Sequence, residues 1–179
     1  MKNDIKKVYS SILITYLLHP AILAVFLVIV SNDLFGQKTL PLQTQLRNAR
    51  QDSTRLRLYA QLADTLYAQE NFDSLFAITQ RAIPLAVALQ APGYEARLYY
   101  RLSMVYRHQR ALGKTLETLQ KTVRVSRRAN DVYTEAWAMY VIPTVYNDQG
   151  NAKKAIAQSL TNLDYFKKQH LSELELYTY

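Results

Sequence analysis

An all-α fold of antiparallel helix pairs stacked side by side is what this sequence predicts, and three observations predict it. Turn formers are scarce, with 4 Gly and 5 Pro in 179 residues, and helix formers are abundant, which disfavours a many-stranded sheet. Apolar residues recur at steps of three and four, as in Leu58, Tyr59, Leu62 and Leu66 and again in Leu75, Ile78, Ala82 and Leu85, which is a helix period. After residue 52 the chain superimposes on itself when shifted by forty residues, the mark of a repeat architecture. With 49% hydrophobic residues, a chain of this length holds one compact domain and a short extra segment.

The extra segment comes first. Lys2, Lys6 and Lys7 precede SILITYLLHPAILAVFLVIV at residues 11–30, after which SNDLFGQ restores polarity. This is the three-part plan of an export signal, and the run is also about the 20 residues that cross a bilayer. Residues 1–36 therefore read as a signal peptide or an N-terminal membrane anchor. Gly36 offers a small residue for cleavage before Gln37, whereas Leu34 is large for its place. Either way the lysines hold the N-terminus in the cytoplasm, so the rest should be exported, on the periplasmic side of the inner membrane. Residues 37–52 read as a polar linker, although Leu42 and Leu46 suit a turn of helix.

The repeats follow at about 53–92, 93–131 and 132–171. Columns forty residues apart read Tyr59, Tyr99, Met139 and Tyr179; Leu62, Leu102 and Ile142; Leu66, Tyr106 and Tyr146; Ile83, Val123 and Leu163. Each unit is two helices. The breaks inside units fall at Glu70-Asn71, at Arg110-Ala111-Leu112-Gly113 and at Gln149-Gly150-Asn151, and those between units at Ala91-Pro92-Gly93, Asn130-Asp131 and His170-Leu171-Ser172. Ser172 with Glu175 fits a capping box that starts another helix, so residues 172–179 read as the opening of a fourth repeat cut short. Pro84 and Pro143 fall inside helices and predict kinks, because each removes a backbone donor and crowds the preceding turn.

These columns resemble the tetratricopeptide repeat family, on Tyr59, Leu62, Ala63, Leu66, Leu75 and Ala82 in the first unit, Tyr99, Leu102, Ser103, Tyr106 and Leu119 in the second, and Ile142, Tyr146 and Ala155 in the third. The resemblance implies a right-handed α-solenoid. Departures are Pro143 at a small-residue position, Leu75 and Thr115 in place of an Ala, and a forty-residue period where the family's is 34. The long period resembles the extracytoplasmic repeats of bacterial sensor histidine kinases.

Chemistry is sparse. No glycine-rich phosphate loop or GxSxG elbow occurs, and Asp64, Asp73, Glu95, Glu117 and Glu135 are isolated in sequence. His19, His108 and His170 have no metal spacing, and Cys is absent. The expectation is a chain with no catalytic residues, no cofactor and no metal. From Gln37 onward 19 basic residues face 12 acidic ones, but they are spread along the chain, which argues against a nucleic-acid surface.

What a solenoid offers is a concave wall of first helices. Carrying the family's inward positions across gives, as groove candidates, Arg57, Tyr67, Arg97, Tyr100, Met104, Arg107, Trp137, Tyr140 and Asn147, beside Ala60, Asp64 and Thr144. Trp, Tyr and Arg are the side chains that dominate binding energies, and arginines favour carboxylates. The expected function is binding of a protein or peptide, of acidic character, with membrane contact only through the N-terminal segment. The alternative is the sensory part of a longer histidine kinase.

Overall fold

The computed structural model describes residues 39–176. The chain divides into two units, Met1–Pro41 and Leu42–Tyr179. Of the first only residues 39–41 are described, and they are helical; the export segment expected over residues 1–36 lies outside the described residues. Among the described residues no helix is long and apolar enough to cross a membrane. The second unit carries the repeats.

After a helical stretch at residues 42–48 come α1 (Asp52–Ala68), α2 (Phe72–Ala88), α3 (Pro92–His108), α4 (Leu112–Ala129), α5 (Val132–Asp148), α6 (Ala152–Lys168) and the short α7 (Ser172–Leu176). The segment read as a linker is not bare: Leu42 and Leu46, one turn apart, pack against the core of the first pair. Each helix packs on the next, and α1 also touches α3, α3 touches α5, and α5 touches α7. No such contact joins α2 to α4 or α4 to α6 among the described residues. First helices therefore close up while second helices splay, which makes the first helices the inner wall of an α-solenoid.

The helices begin every twenty residues, at 52, 72, 92, 112, 132, 152 and 172. Each of the six breaks is one motif. Glu70, Gln90, Arg110, Asn130, Gly150 and His170 all have φ between 49° and 73°. In each turn that residue's N–H donates three residues back and the next N–H five residues back, as in Glu70 to Tyr67 at 3.0 Å and Asn71 to Leu66 at 2.9 Å. This Schellman arrangement satisfies the last carbonyls of the helix. Gly113, expected within a break, instead lies in the first turn of α4. Asn71, Asp131 and Asn151 then cap α2, α5 and α6 by accepting from the N–H three residues on. α7 begins at Ser172 itself, one residue early for the cap expected there.

Both helices with an internal proline run on unbroken, α2 through Pro84 and α5 through Pro143. Pro84 is exposed, as is Gln80, whose carbonyl lost its helical donor to it. Pro143 is buried, and the carbonyl it orphans, that of Met139, accepts instead from Asn162 Nδ2 on α6 at 2.6 Å. Asn162 is 1% exposed, and its Oδ1 accepts from Gln158 at 2.9 Å.

The core runs from pair to pair as three clusters, bridged by Tyr67 between the first two and by Val123 and Tyr140 between the last two. Leu62, Leu66, Leu75 and Leu98 fill the first cluster, Leu119, Val141 and Val145 the second, and Ala136, Phe166 and Leu174 the third. Burying each such Leu or Phe contributes about 1.5–3 kcal/mol. Thr115, where the repeat calls for Ala, is tolerated in the core because its hydroxyl donates back to the Ala111 carbonyl at 3.1 Å. Two nearly buried acids tie α4 to the helices on either side of it, one within its own pair and one across to the next pair. Glu95 on α3 accepts from Arg128 at 3.4 Å and Glu135 on α5 from Arg127 at 2.7 Å, so adjacent arginines at the end of α4 reach in opposite directions.

Candidate functional site

The inner wall holds two neighbouring pockets, and α3 contributes to both. The first, of about 570 Å³, is lined by Tyr67 from α1, by Arg97, Tyr100 and Arg101 from α3, and by Asp131, Tyr133, Thr134 and Trp137 at the start of α5. Its aromatic side forms a chain of edge-on contacts, Tyr133 to Trp137 at 6.1 Å and Trp137 to Tyr140 at 5.8 Å. Tyr133 is 62% exposed, and beside the half-buried Trp137 it gives the pocket an open aromatic edge.

The cationic side of this pocket is organised by one carboxylate. Asp64 on α1 accepts from Arg97 and, at 2.9 Å, from Arg101 Nε. Arg101 also lies over the Tyr67 ring, 4.3 Å from its centroid, and within 5.6 Å of the Tyr100 ring, a geometry in which the ring face attracts the guanidinium. Burial pushes the Tyr100 phenol up to about 12, with Tyr67 adding to the shift and Arg101 and Arg107 opposing it. Two arginines share this one aspartate, and the Arg97 side chain remains 52% exposed.

The second pocket, about 560 Å³, is lined by Tyr67, Phe72, Met104, Arg107, His108, Arg110 and Asp148. The His108 ring stacks on Phe72 with centroids 4.1 Å apart and planes 17° from parallel. Arg107 reaches Asp148 of α5 at 3.3 Å. Arg110 occupies the left-handed turn position after α3 and is exposed.

Of the residues proposed from sequence, Tyr67, Arg97, Tyr100 and Trp137 meet around the first pocket, and Tyr67, Met104 and Arg107 around the second. Tyr140 packs behind Trp137 against the core. Arg57 and Asn147 are exposed and line neither pocket. Two of the groove arginines already meet carboxylates within the chain, Arg97 at Asp64 and Arg107 at Asp148. Sequence reasoning missed Arg101, Tyr133, Phe72, His108 and Arg110. It read straight across at forty residues, whereas the first pocket runs diagonally through Tyr67, Tyr100 and Tyr133, spaced by thirty-three. The ion pair of Asp64 with Arg97 has the same separation. Among the described residues no group of three or more His, Asp or Glu gathers to hold a metal.

Helix pairs stacked in one direction around an inner wall define the class: this is a helical-repeat α-solenoid. No family model matches the sequence, and no curated protein does. Solved structures with the same fold include aspartyl phosphate phosphatase F from Bacillus subtilis, at 18% identity and a TM-score of 0.62 over 71% of this chain. BtubC (BKLC) from P. vanneervenii matches at 14% identity and a TM-score of 0.60 over 75% of it. The matches span 34% and 57% of those two proteins. At such identities the likeness is one of fold.

Proposed function

We propose that this chain is a protein-interaction module of the long-period tetratricopeptide type, which holds an extended, carboxylate-bearing segment of a partner along α1, α3 and α5 and performs no catalytic step of its own. The observation that carries the reading is the first pocket, where Tyr133 and Trp137 face the half-exposed Arg97 across a cavity of about 570 Å³. Aromatic and arginine side chains combine large contact area with hydrogen bonding at modest entropic cost, which is why they dominate interface energies. The test is selection from a displayed library of random peptides of about twelve residues. Enrichment of sequences bearing an acidic and a bulky apolar residue is expected, and it should vanish on Tyr133→Ala, a substitution at an exposed position. Equal enrichment on the parent chain and on Tyr133→Ala would remove the groove as the site.

A second reading concerns setting. The run of Lys2, Lys6 and Lys7 ahead of the apolar residues 11–30 supports export, with these repeats as the sensory part of a longer histidine kinase outside the cytoplasm. The size and membrane partition of the native polypeptide test it. A band well above 20.7 kDa in the membrane fraction is expected; an exported soluble band at or slightly below that mass would retire the sensor reading.

A further inference from the structure

The two pockets share Tyr67 as a wall and differ in charge and polarity. In the first, Arg97 and Arg101 share Asp64, and Asp131 adds a second negative charge while capping α5; large aromatic rings supply the rest of the surface. In the second, Asp148 answers Arg107, while Arg110 has no carboxylate partner among the described residues. A carboxylate is therefore favoured at the second pocket, where a charge-assisted hydrogen bond to Arg110 breaks no existing pair. A flat apolar side chain is favoured at the first, where the exposed Tyr133 ring and the half-buried Trp137 ring can meet it.

The two chemistries lie a fixed distance apart because one helix carries both. From Arg97 and Tyr100 to Arg107 along α3 is seven to ten residues, roughly 10–15 Å at about 1.5 Å per residue. An extended chain covers that span in about three to five residues at roughly 3.3 Å each. A helical ligand would need about seven to ten.

We infer that the groove reads a partner segment at two points: an aromatic or bulky apolar residue seated in the Tyr100, Tyr133 and Trp137 pocket, and a carboxylate three to five positions away seated on Arg107 and Arg110. Tyr67 separates the two seats. The inference rests on the peptide-binding function proposed for this groove and adds to it the spacing and the division of labour.

The experiment uses the full chain in detergent and fluorescein-labelled peptides of about twelve residues, each with one Trp and one Glu in a Ser/Gly background. The separation between them runs from one to ten positions, in both orders, with anisotropy as readout. Affinity is expected to peak at separations of three to five, about tenfold above the extremes. Replacing the peptide's Glu by Gln should erase that peak on the parent chain and change nothing on Arg110→Glu. A flat profile overturns the inference, as does a peak at seven to ten, which would mean a helical occupant, or a Glu preference that survives Arg110→Glu. Flat binding that is nevertheless lost in Tyr133→Ala would end the spacing rule and leave the groove reading intact. Absence of binding by any peptide of the set, beside failure of the library selection, would end both.

Discussion

The two sides of α5 use polar groups to opposite ends. On the inner side Tyr133, Thr134 and Trp137 look into a cavity, and the nearby charges of Arg97, Arg101 and Asp64 are only part-buried. On the far side Met139, Glu135 and Pro143 face α4 and α6, and there Asn162 and Arg127 satisfy groups that have almost no access to water. A polar contact screened by solvent contributes little to stability, whereas a buried group left without a partner costs its full desolvation. The inner side is thus free to serve a ligand, and the far side is committed to holding the fold.

The largest expected effect tests that commitment. Asn162→Leu strips the Met139 carbonyl of its only described donor and should lower unfolding stability by about 2–3 kcal/mol, read by urea denaturation, with peptide affinity unchanged after correction for folded fraction. The loss should shrink in a Pro143→Ala background, where residue 143 regains an N–H for that carbonyl; a double-mutant cycle without coupling would break the account. Next is Glu135→Ala, which separates Arg127 and removes the acceptor of Tyr165. About 1–2 kcal/mol should be lost, again with little change at the groove.

On the inner side the order of effects reverses. Asp64→Asn should move stability by less than about 1 kcal/mol, yet strengthen binding of acidic peptides several-fold by releasing Arg97, and the change should fade with added salt. If stability falls instead as far as in Asn162→Leu, the contrast between the sides is lost. The smallest effect uses two phenols. Tyr100 is held near 12 by burial, and Tyr165 is likewise raised to about 12 by burial and by its hydrogen bond to Glu135. In both the fold favours the neutral phenol, so the stabilisation is complete below the unfolded value near 10 and is lost as pH rises from about 10 to 12. Spectrophotometric titration should show Tyr100 titrating late, a step that Tyr100→Phe removes. A peptide in the groove should delay Tyr100 further and leave Tyr165 where it is.

Much of the fold was legible because burial writes a period into the sequence. Leu62, Leu102 and Ile142 recur at forty residues since each fills the same place between helices, and a stack of like helix pairs satisfies those columns together. The turns were legible only as places. Their left-handed residues are Glu, Gln, Arg, Asn and His as well as Gly, so composition hides a motif that the hydrogen bonds make obvious. The site was half legible. Residue types at inward positions could be read, but a pocket that cuts diagonally from the end of α1 to the start of α5 depends on how helices are offset, which no repeat register contains. That Asp64 would take both Arg97 and Arg101 depends likewise on side chains that meet only after folding. The rescue of Met139 by Asn162 was illegible for the same reason, and so Pro143 read only as a kink.

The six identical turns make the length of the groove a matter of counting. Because every half-unit starts twenty residues after the last and ends in the same hydrogen-bonded closure, a segment of forty residues inserted between like turns would re-enter the stack in register. It would extend the wall by about 8–10 Å, the separation of two packed helices. A single residue added inside a helix has no such neutral solution, since it rotates everything beyond it by about 100° and turns the tyrosines of the wall away from the groove. Selection on a chain of this kind thus acts in steps, with binding length gained or lost by whole pairs and specificity tuned by substitutions that leave the spacing alone.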